Sequence, residues 1–365
     1  MIRILHVLGG LDRGGAETMV MNLYRAIDRS QIQFDFVTHT NRQQAYTEEI
    51  KNLGGEIYYF PKFRGYNIFK LKKLWTDFFK KHPEYKILHS HVRSYASLYL
   101  PIAKKAGLKT IIHSHSTSNG NGLSSIVKRL MQYPLRFQAD YFFGCSKEAG
   151  EWLFGSKIVN SSKYHILKNA IDVQKYVFRT ESRELYRNEL GLGDKFAFVH
   201  VGRFHPAKNH VFLLNLFAEI HERNSNTVLL LVGDGELRPS IERQITELNL
   251  QKDVVLLGSR ADVPNILHAA DCFLFPSLWE GLPVTVIEAQ AAGISCFISD
   301  KITDEVGLTD LVRYLPINQG SHSWIDAICK SVFCRRNESQ KIKDAGYDIL
   351  SSTQELRKFY LKVFE

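Results

Sequence analysis

Two glutamates eight positions apart, Glu280 and Glu288, are the residues of this chain whose type and spacing point most directly to chemistry. The apolar run at residues 271–275 precedes them and predicts a buried strand. Pro283 fits the first position of a helix, and Gly293 fits the residue that ends it. We therefore predict a strand, a loop that carries Glu280, and a helix that carries Glu288.

The start of this predicted helix suits an anion. Its first N–H groups, near Val284 and Thr285, have no partner within the helix and carry a partial positive charge. A loop carboxylate beside them can accept hydrogen bonds from sugar hydroxyls, and a carboxylate further along the helix can accept both hydroxyls of a ribose. This arrangement suits a nucleotide sugar. The alternative is an ordinary strand–turn–helix unit whose glutamates face solvent.

A second group of polar residues follows the apolar run at residues 199–201, which also predicts a strand. Gly202 ends the run, and Arg203 and Lys208 come soon after it. Two cations at a strand end suit a diphosphate, because arginine offers a planar fork of donors and lysine a mobile point charge. They would also offset charge on a departing nucleoside diphosphate. The alternative is a solvated loop with two surface cations.

Both segments resemble those of the retaining glycosyltransferases of family four. That family has a Glu-x7-Glu motif followed by a helix with small residues and a glycine, as in residues 288–293. It also carries a Gly-Arg pair and a later lysine, which correspond to Gly202, Arg203 and Lys208. The resemblance extends over essentially the whole chain and is densest in its second half.

The resemblance implies a role for each of these side chains. Glu280 would hold the donor sugar and Glu288 the ribose, while Arg203, Lys208 and the start of the helix would hold the diphosphate. The family retains the anomeric configuration, because the departing phosphate oxygen deprotonates the incoming hydroxyl on the same face. No separate protein base is then required.

A glycine-rich turn follows the strand predicted at residues 2–8, and residues 14–17 read Gly-Gly-Ala-Glu, as in the family. The resemblance assigns Gly14 and Gly15 to the diphosphate and the acceptor side of the site. Taken alone, a glycine-rich turn after a first strand is weak evidence.

Two histidines, His113 and His115, lie at the end of a short strand that we predict from Thr110 onward. A lone histidine is more often a hydrogen-bonded structural residue, but ligand sites of α/β proteins gather at strand ends. The family places one histidine near the donor sugar at this point. The spacing permits either residue, and we favour His115 as the catalytic one.

Smaller matches lie further along the chain. Residues 169–172 read Asn-Ala-Ile-Asp, with Ala170 where the family usually has glycine. In similar enzymes the turn at Gly233 and the backbone near Arg260 border the nucleotide. The alternative for both is a plain turn and a sheet edge.

The chain as a whole alternates apolar strands with helices, which predicts an α/β protein with parallel sheets covered on both faces. Its 365 residues exceed the usual size of one core, so we expect two domains. We predict residues 1–175, joined by a C-terminal helix at about 352–365, and residues 176–351. The resemblance implies the GT-B fold, in which two Rossmann-like, doubly wound domains face a central cleft.

Charge is distributed unevenly between these predicted domains. Residues 1–175 carry a net charge of +13, whereas residues 176–365 carry −4. Residues 62–86 hold many of the lysines, interleaved with aromatic and apolar side chains at helical spacing. One interpretation is a helix docked on its own sheet with a solvated basic face. The other is a surface for anionic phospholipids. No nucleic-acid module is present, so we expect no nucleic-acid partner.

Metal and membrane signals are weak in the sequence. The five cysteines form no Cys-x2-Cys pair, and no Asp-x-Asp pair occurs that would hold a divalent ion on a sugar diphosphate. We therefore expect no metal and no cofactor apart from the nucleotide sugar itself. No apolar run is long enough to span a bilayer, so we expect a cytoplasmic protein, peripheral at most at the inner face of the membrane.

The sequence therefore predicts a retaining, metal-independent glycosyltransferase that uses a nucleoside diphosphate sugar, most naturally a UDP sugar. The chain is most similar to the subgroup of the family that carries the motifs His-Ser-His and Asn-Ala-Ile-Asp, which assembles bacterial exopolysaccharide and capsule. This similarity implies a saccharide acceptor carried on a polyprenyl diphosphate. Two alternatives stay open. One is a sugar-nucleotide epimerase on the same fold, and the other is a sensor that binds sugar nucleotides without turnover.

Overall fold

The computed structural model describes residues 1–115 and 123–364. The chain forms two compact units, one of Met1–Ala170 with the C-terminal helix and one of Ile171–Asp348. The predicted boundary at residue 175 falls inside the helix Val173–Tyr176, which belongs to the second unit. Both end residues of that helix are buried in the second unit's core, so this short helix folds with the segment that follows it.

The first unit contains the strands β1 (Ile2–Val7), β2 (Ile32–Thr38), β3 (Ile57–Tyr59), β4 (Ile87–Ser90), β5 (Lys109–Ser114), β6 (Tyr141–Gly144) and β7 (Tyr164–Ile166). Its helices are α1 (Gly15–Ala26), α2 (Thr47–Asn52), α3 (Ile68–Lys81), α4 (Ala96–Lys105), α5 (Leu123–Gln132), α6 (Leu135–Gln138), α7 (Lys147–Phe154) and α8 (Ser156–Val159). All strand pairs are parallel, in the order β3-β2-β1-β4-β5-β6-β7. Neighbouring residues of β1 point to opposite faces, so Ile4 and Leu5 enter two different cores.

The second unit contains the strands β8 (Phe196–Val201), β9 (Thr227–Val232), β10 (Val254–Gly258), β11 (Cys272–Phe275), β12 (Ser295–Ser299) and β13 (Val312–Leu315). Its helices are α9 (Val173–Tyr176), α10 (Thr180–Glu189), α11 (His210–Arg223), α12 (Arg238–Glu247), α13 (Val263–Ala269), α14 (Val284–Ala291), α15 (His322–Cys329) and α16 (Ser339–Asp344). The parallel sheet has the order β10-β9-β8-β11-β12-β13 and a core on each face.

The last helix, α17 (Ile349–Phe364), packs against α1 in the first unit. It begins slightly before the predicted start near residue 352. The doubly wound parallel sheets predicted from the sequence are present in both units. In each unit the strand order reverses once, between β1 and β4 and between β8 and β11. In open parallel sheets, ligands bind at the carboxyl ends of the strands beside such a reversal.

Candidate active site

The reversal of strand order in the second unit brings together two residues that lie far apart in the sequence, Lys208 and Glu280. Lys208 ends a short 3₁₀ turn after β8, and Glu280 lies in the loop after β11. Lys208 Nζ donates to Glu280 Oε1 over 2.6 Å, and their side chains are only 16% and 14% exposed. The ammonium also lies 4.5 Å from the centroid of the Phe275 ring. The pair is therefore well positioned and only partly solvated, which strengthens its electrostatic effect.

The turns after β8 and β9 pack backbone against backbone. The Gly202 N–H donates to the Val232 carbonyl over 2.9 Å. Gly233 has a φ of +143°, and a Cβ there would lie 2.0 Å from the Gly202 carbonyl oxygen. Only glycine fits this close approach, so Gly233 has a structural reason to be present. Its contact with a nucleotide stays a prediction.

The two predicted arginines differ in how free their side chains are. Arg203 is 72% exposed and makes one ion pair, from Nη2 to Glu236 Oε2 over 3.2 Å. Arg260 is held by Asp262 through two hydrogen bonds, from Nε over 2.8 Å and from Nη2 over 2.5 Å. The guanidinium of Arg203 can therefore turn toward an incoming anion, whereas that of Arg260 already forms two hydrogen bonds with the Asp262 carboxylate.

Helix α14 begins at Val284, so Pro283 is its N-cap residue and not its first helical residue as predicted. No side chain caps this end. Thr285 Oγ1 is buried and has no hydrogen-bond partner among the described residues. Gly293 follows the helix with a φ of +73°, as expected for a helix stop. The first turn therefore presents free donors, as a phosphate site requires.

Glu288 lies one turn further along α14 and is partly buried. Burial raises its pKa to about 7, and an interaction with the Tyr176 hydroxyl opposes that rise. Near pH 7 the Glu288 carboxyl is therefore partly ionised, and its ionised form can accept hydrogen bonds from both hydroxyls of a diol. Tyr176 was not predicted from the sequence. It lies more than a hundred residues upstream, and no motif marks it.

In the first unit, Gly14 is the N-cap of α1 and Gly15 its first residue. The loop before them is tethered by Asp12, which accepts hydrogen bonds from the Ala45 N–H, Gln44 Nε2 and Arg42 Nη2. Nothing lies within 4 Å of a Cβ placed at Gly15, so this backbone is open on one side.

The predicted histidines belong to a larger cluster of imidazoles at the reversal of strand order in the first unit. We call it the histidine cluster, and its members are His6 of β1, His89 and His91 at the end of β4, and His113 and His115 at the end of β5. Of the two predicted residues, His113 is completely buried and His115 only partly. His115 is thus the more accessible member of the predicted pair.

Two hydrogen-bonded chains run through the histidine cluster. In one, His6 Nδ1 lies 3.0 Å from His91 Nε2, and His91 Nδ1 lies 2.8 Å from His115 Nε2. In the other, the Tyr360 hydroxyl lies 2.6 Å from His89 Nδ1, and His89 Nε2 lies 3.3 Å from His113 Nδ1. Burial lowers the pKa of every member, that of His115 to about 3, so the imidazoles are neutral at pH 7.

Sequence reasoning found two of these five histidines. The available signal was spacing: His89 and His91, like His113 and His115, are two residues apart, so each pair lies on one face of its strand end. Only the pairing of β1 with β4 and of β4 with β5 shows that the strands are neighbours.

Comparison with known proteins places the chain in a family. The model described as "Glycosyl transferases group 1" matches residues 182–307, and that described as "Glycosyltransferase Family 4" matches residues 13–175. The Bacillus subtilis (strain 168) protein named "Putative glycosyltransferase EpsF" is 36% identical over 372 residues, covering 98% of this chain and 96% of that protein. The chain belongs to the family 4 glycosyltransferases. The predicted family is therefore confirmed.

Two further comparisons concern a partial relative and the fold. A galactosyltransferase of Escherichia coli, named for UDP-Gal and α-D-GlcNAc-diphosphoundecaprenol, is 31% identical over 231 residues, covering 60% of this chain and 59% of that protein. The crystal structure of HepE from Anabaena in complex with UDP and glucose has a TM-score of 0.79 at 18% identity, covering 99% of both chains. The predicted GT-B fold of this glycosyltransferase is confirmed. Within the described residues, no helix combines the length and apolar character needed to cross a bilayer.

Proposed function

We propose that this glycosyltransferase moves a hexosyl or N-acetylhexosaminyl group from a UDP sugar to a saccharide acceptor, with retention, during assembly of a cell-surface polysaccharide. The observation that carries the proposal is the Lys208–Glu280 pair at the reversal of strand order. Support for UDP and for a lipid-linked acceptor comes from the names of the E. coli relative and the HepE complex.

Charge neutralisation is the first task of such a site. Lys208 is held by Glu280 and by the Phe275 ring, while the exposed guanidinium of Arg203 can approach the diphosphate from solvent. The uncapped first turn of α14 adds backbone N–H donors at Val284 and Thr285. Together these groups would offset the charge on the departing UDP without a divalent metal ion.

Orientation of the donor is the second task. Glu280 accepts hydrogen bonds from sugar hydroxyls with the carboxylate oxygen that Lys208 leaves free, and Glu288 accepts both ribose hydroxyls. The family resemblance assigns His115 to the donor sugar, and Gly14 and Gly15 to the diphosphate and the acceptor side. The phosphate oxygen that leaves takes the proton of the incoming hydroxyl, and the new glycosidic bond forms on the face from which UDP departs.

Incubation of the protein with UDP sugars and a polyprenyl-diphosphate-linked saccharide tests the proposal. Transfer releases UDP and lengthens the acceptor, with the anomeric configuration read by NMR. An epimerase would change the sugar without releasing UDP, and a sensor would do neither. A thermal-shift screen across nucleotide sugars selects the donor first, because a ligand that binds only the folded state stabilises it.

Chelation separates the metal-independent mechanism from the usual alternative. If the cations and helix N–H groups carry the diphosphate, excess EDTA leaves the rate of transfer unchanged. Loss of turnover in EDTA, restored by Mg²⁺ or Mn²⁺, would contradict the proposed neutralisation.

We also propose that the first unit docks on anionic lipid at the inner face of the membrane. Helix α5 supports this, since every described side chain from Ile126 to Leu130 is exposed, Lys128 and Arg129 among them. Helix α3 buries Leu71, Trp75 and Phe78 against its own unit, so its lysines are left on the outer face. Phe69, beside them, is 81% exposed.

Flotation with vesicles tests this docking. The protein should float with vesicles that contain phosphatidylglycerol and stay behind with pure phosphatidylcholine. A Leu130→Ser and Phe69→Ser double variant should float less, whereas Leu185→Ser, which removes an exposed leucine of the second unit, serves as the control. Equal flotation with both vesicle types would contradict the proposal.

A further inference from the structure

The histidine cluster contains three imidazoles that satisfy the chemical requirements of a transition-metal site. One ring nitrogen from each of His91, His113 and His115 lies within 4.8 Å of one from each of the other two. Three imidazoles are a common donor set for Zn²⁺ and related ions, with the fourth position left to water. We propose that His91, His113 and His115 bind a divalent transition-metal ion of the Zn²⁺ class.

For His91 and His113 the hydrogen bonds already provide the outer shell that such ligands need, whereas His115 Nδ1 has no partner among the described residues. A metal-binding imidazole usually donates its second N–H to a neighbouring acceptor, which fixes the ring. His113 Nε2 has no partner among the described residues, while its Nδ1 lies 3.3 Å from His89 Nε2. His113 can therefore bind through Nε2 and donate from Nδ1 to His89, which in turn is held by the Tyr360 hydroxyl.

His91 has the same relation to His6. Its Nδ1 faces His115 Nε2 over 2.8 Å, and its Nε2 lies 3.0 Å from His6 Nδ1. When His91 binds a metal through Nδ1, the proton moves to Nε2 and donates to His6. Nitrogens that share a tetrahedral ion lie about 3.3 Å apart at metal–nitrogen distances of roughly 2.0–2.1 Å, so the 2.8 Å pair needs to open by only about half an ångström.

Access from solvent favours the same three residues. His115 is partly exposed, so an ion can reach it from solvent. Arg93 is a cation close enough to His115 to act on it electrostatically, and its guanidinium carbon lies 5.2 Å from the centroid of the Trp152 ring. That positive charge weakens the site relative to a structural zinc centre.

A deeper trio, His6, His89 and His91, meets the same distance criterion but is buried throughout. The two trios share His91 and differ in their other members. His115 belongs only to the proposed site and His6 only to the deeper one, where it would be a ligand and not an outer-shell partner. Substitution of these two residues therefore distinguishes the sites.

The test is a titration of the chelator-treated, full-length protein with Co²⁺, followed by its visible absorption. We expect one equivalent of Co²⁺ to give the strong bands of tetrahedral coordination and Zn²⁺ to displace it. His115→Gln should weaken binding at least 100-fold, and His6→Gln about 10- to 100-fold, as loss of an outer-shell partner does. His82→Gln, at a half-buried histidine of the same unit that pairs with Glu84 and lies outside the histidine cluster, should leave Co²⁺ affinity unchanged.

Four outcomes would overturn the proposal. These are no tetrahedral spectrum, equal binding by the wild type and His115→Gln, a larger loss with His6→Gln than with His115→Gln, or a near-ultraviolet sulfur-to-cobalt band from the exposed Cys329 or Cys334. Circular dichroism of each variant confirms that it is folded before its affinity is compared. The readout is binding alone, so it is independent of whether the protein transfers sugar.

Discussion

In both units the carboxyl ends of parallel strands meet beside a reversal of strand order. The side chains at this edge are uncharged imidazoles in the first unit and an ion pair in the second. At the edge in the first unit, four imidazoles are buried beside the half-buried His115, and burial keeps all five neutral. At the edge in the second unit, Lys208 and Glu280 form an ion pair, and burial raises the pKa of Glu288 to about 7. The scaffold fixes the location of a site, and the residues at the strand ends decide its chemistry.

The two edges should also respond to pH with opposite signs. The folded-state pKa of Glu288 is raised from 4.5 to about 7, so the stability it contributes is present below pH 4.5 and is lost as the pH rises through 7. The pKa of His115 is lowered from 6.5 to about 3, so the stability it contributes is present above pH 6.5 and is lost as the pH falls toward 3.

The largest effect should come from breaking the charged pair of the second unit. Lys208→Ala removes a positioned cation from the proposed diphosphate site and should slow transfer about 10²- to 10³-fold, as loss of one preorganised donor does. The rate of UDP release at a saturating donor concentration measures this fall in the transfer rate. Lys195→Ala is the matched control, since it breaks another partly buried lysine–carboxylate pair in the same unit, with Asp253. A rate near that of the control would remove Lys208 from the mechanism.

Substitution of Glu288 tests whether its carboxylate binds the ribose. Glu288→Ala should raise the UDP dissociation constant roughly 10- to 100-fold, because it deletes hydrogen bonds made by a charged acceptor. Since the pKa of Glu288 is about 7, the wild type should also bind UDP more weakly at pH 6 than at pH 8. Calorimetry at both pH values measures each change. Unchanged affinity in the variant would refute the ribose role.

The burial of the histidine cluster as neutral rings can be tested by measuring how the stability of the first unit falls in acid. His115→Gln removes one group that the unfolded chain protonates below pH 6.5 and the folded chain does not. Between pH 6 and pH 4 the wild type should therefore lose about 1.4 kcal/mol of stability per pH unit more than the variant. Hydrogen exchange of the β5 amides reports the opening of this unit. Parallel pH profiles would mean that His115 is not buried as a neutral ring.

Arg203 should give the smallest of these effects. Its guanidinium is 72% exposed, so solvent screens it more than Lys208. Arg203→Ala should chiefly slow transfer, by about tenfold, and the loss should shrink as salt is added. Arg243→Ala, an exposed arginine of α12 in the same unit, is the control. A rate like that of the wild type would contradict the assignment of charge neutralisation to Arg203.

Much of the fold followed from the sequence because its signals are local. Apolar runs such as residues 271–275 predicted strands, Gly293 predicted a helix end, and both agree with the structure. Pro283 was placed one position too far into α14, since a proline suits the N-cap and the first turn alike. The domain boundary was harder, because α9 is only four residues long and its place in the second unit depends on packing.

For the candidate site, the sequence alone determined which residue types stand after which strands, namely Arg203 and Lys208 after β8 and Glu280 after β11. Only tertiary structure decided that Lys208 and Glu280 pair, that Tyr176 meets Glu288, and that five histidines from three strands share one edge. The physical reason is that strand order and burial are set by packing between distant segments. Those contacts determine which side chains form ion pairs and which are buried as neutral groups.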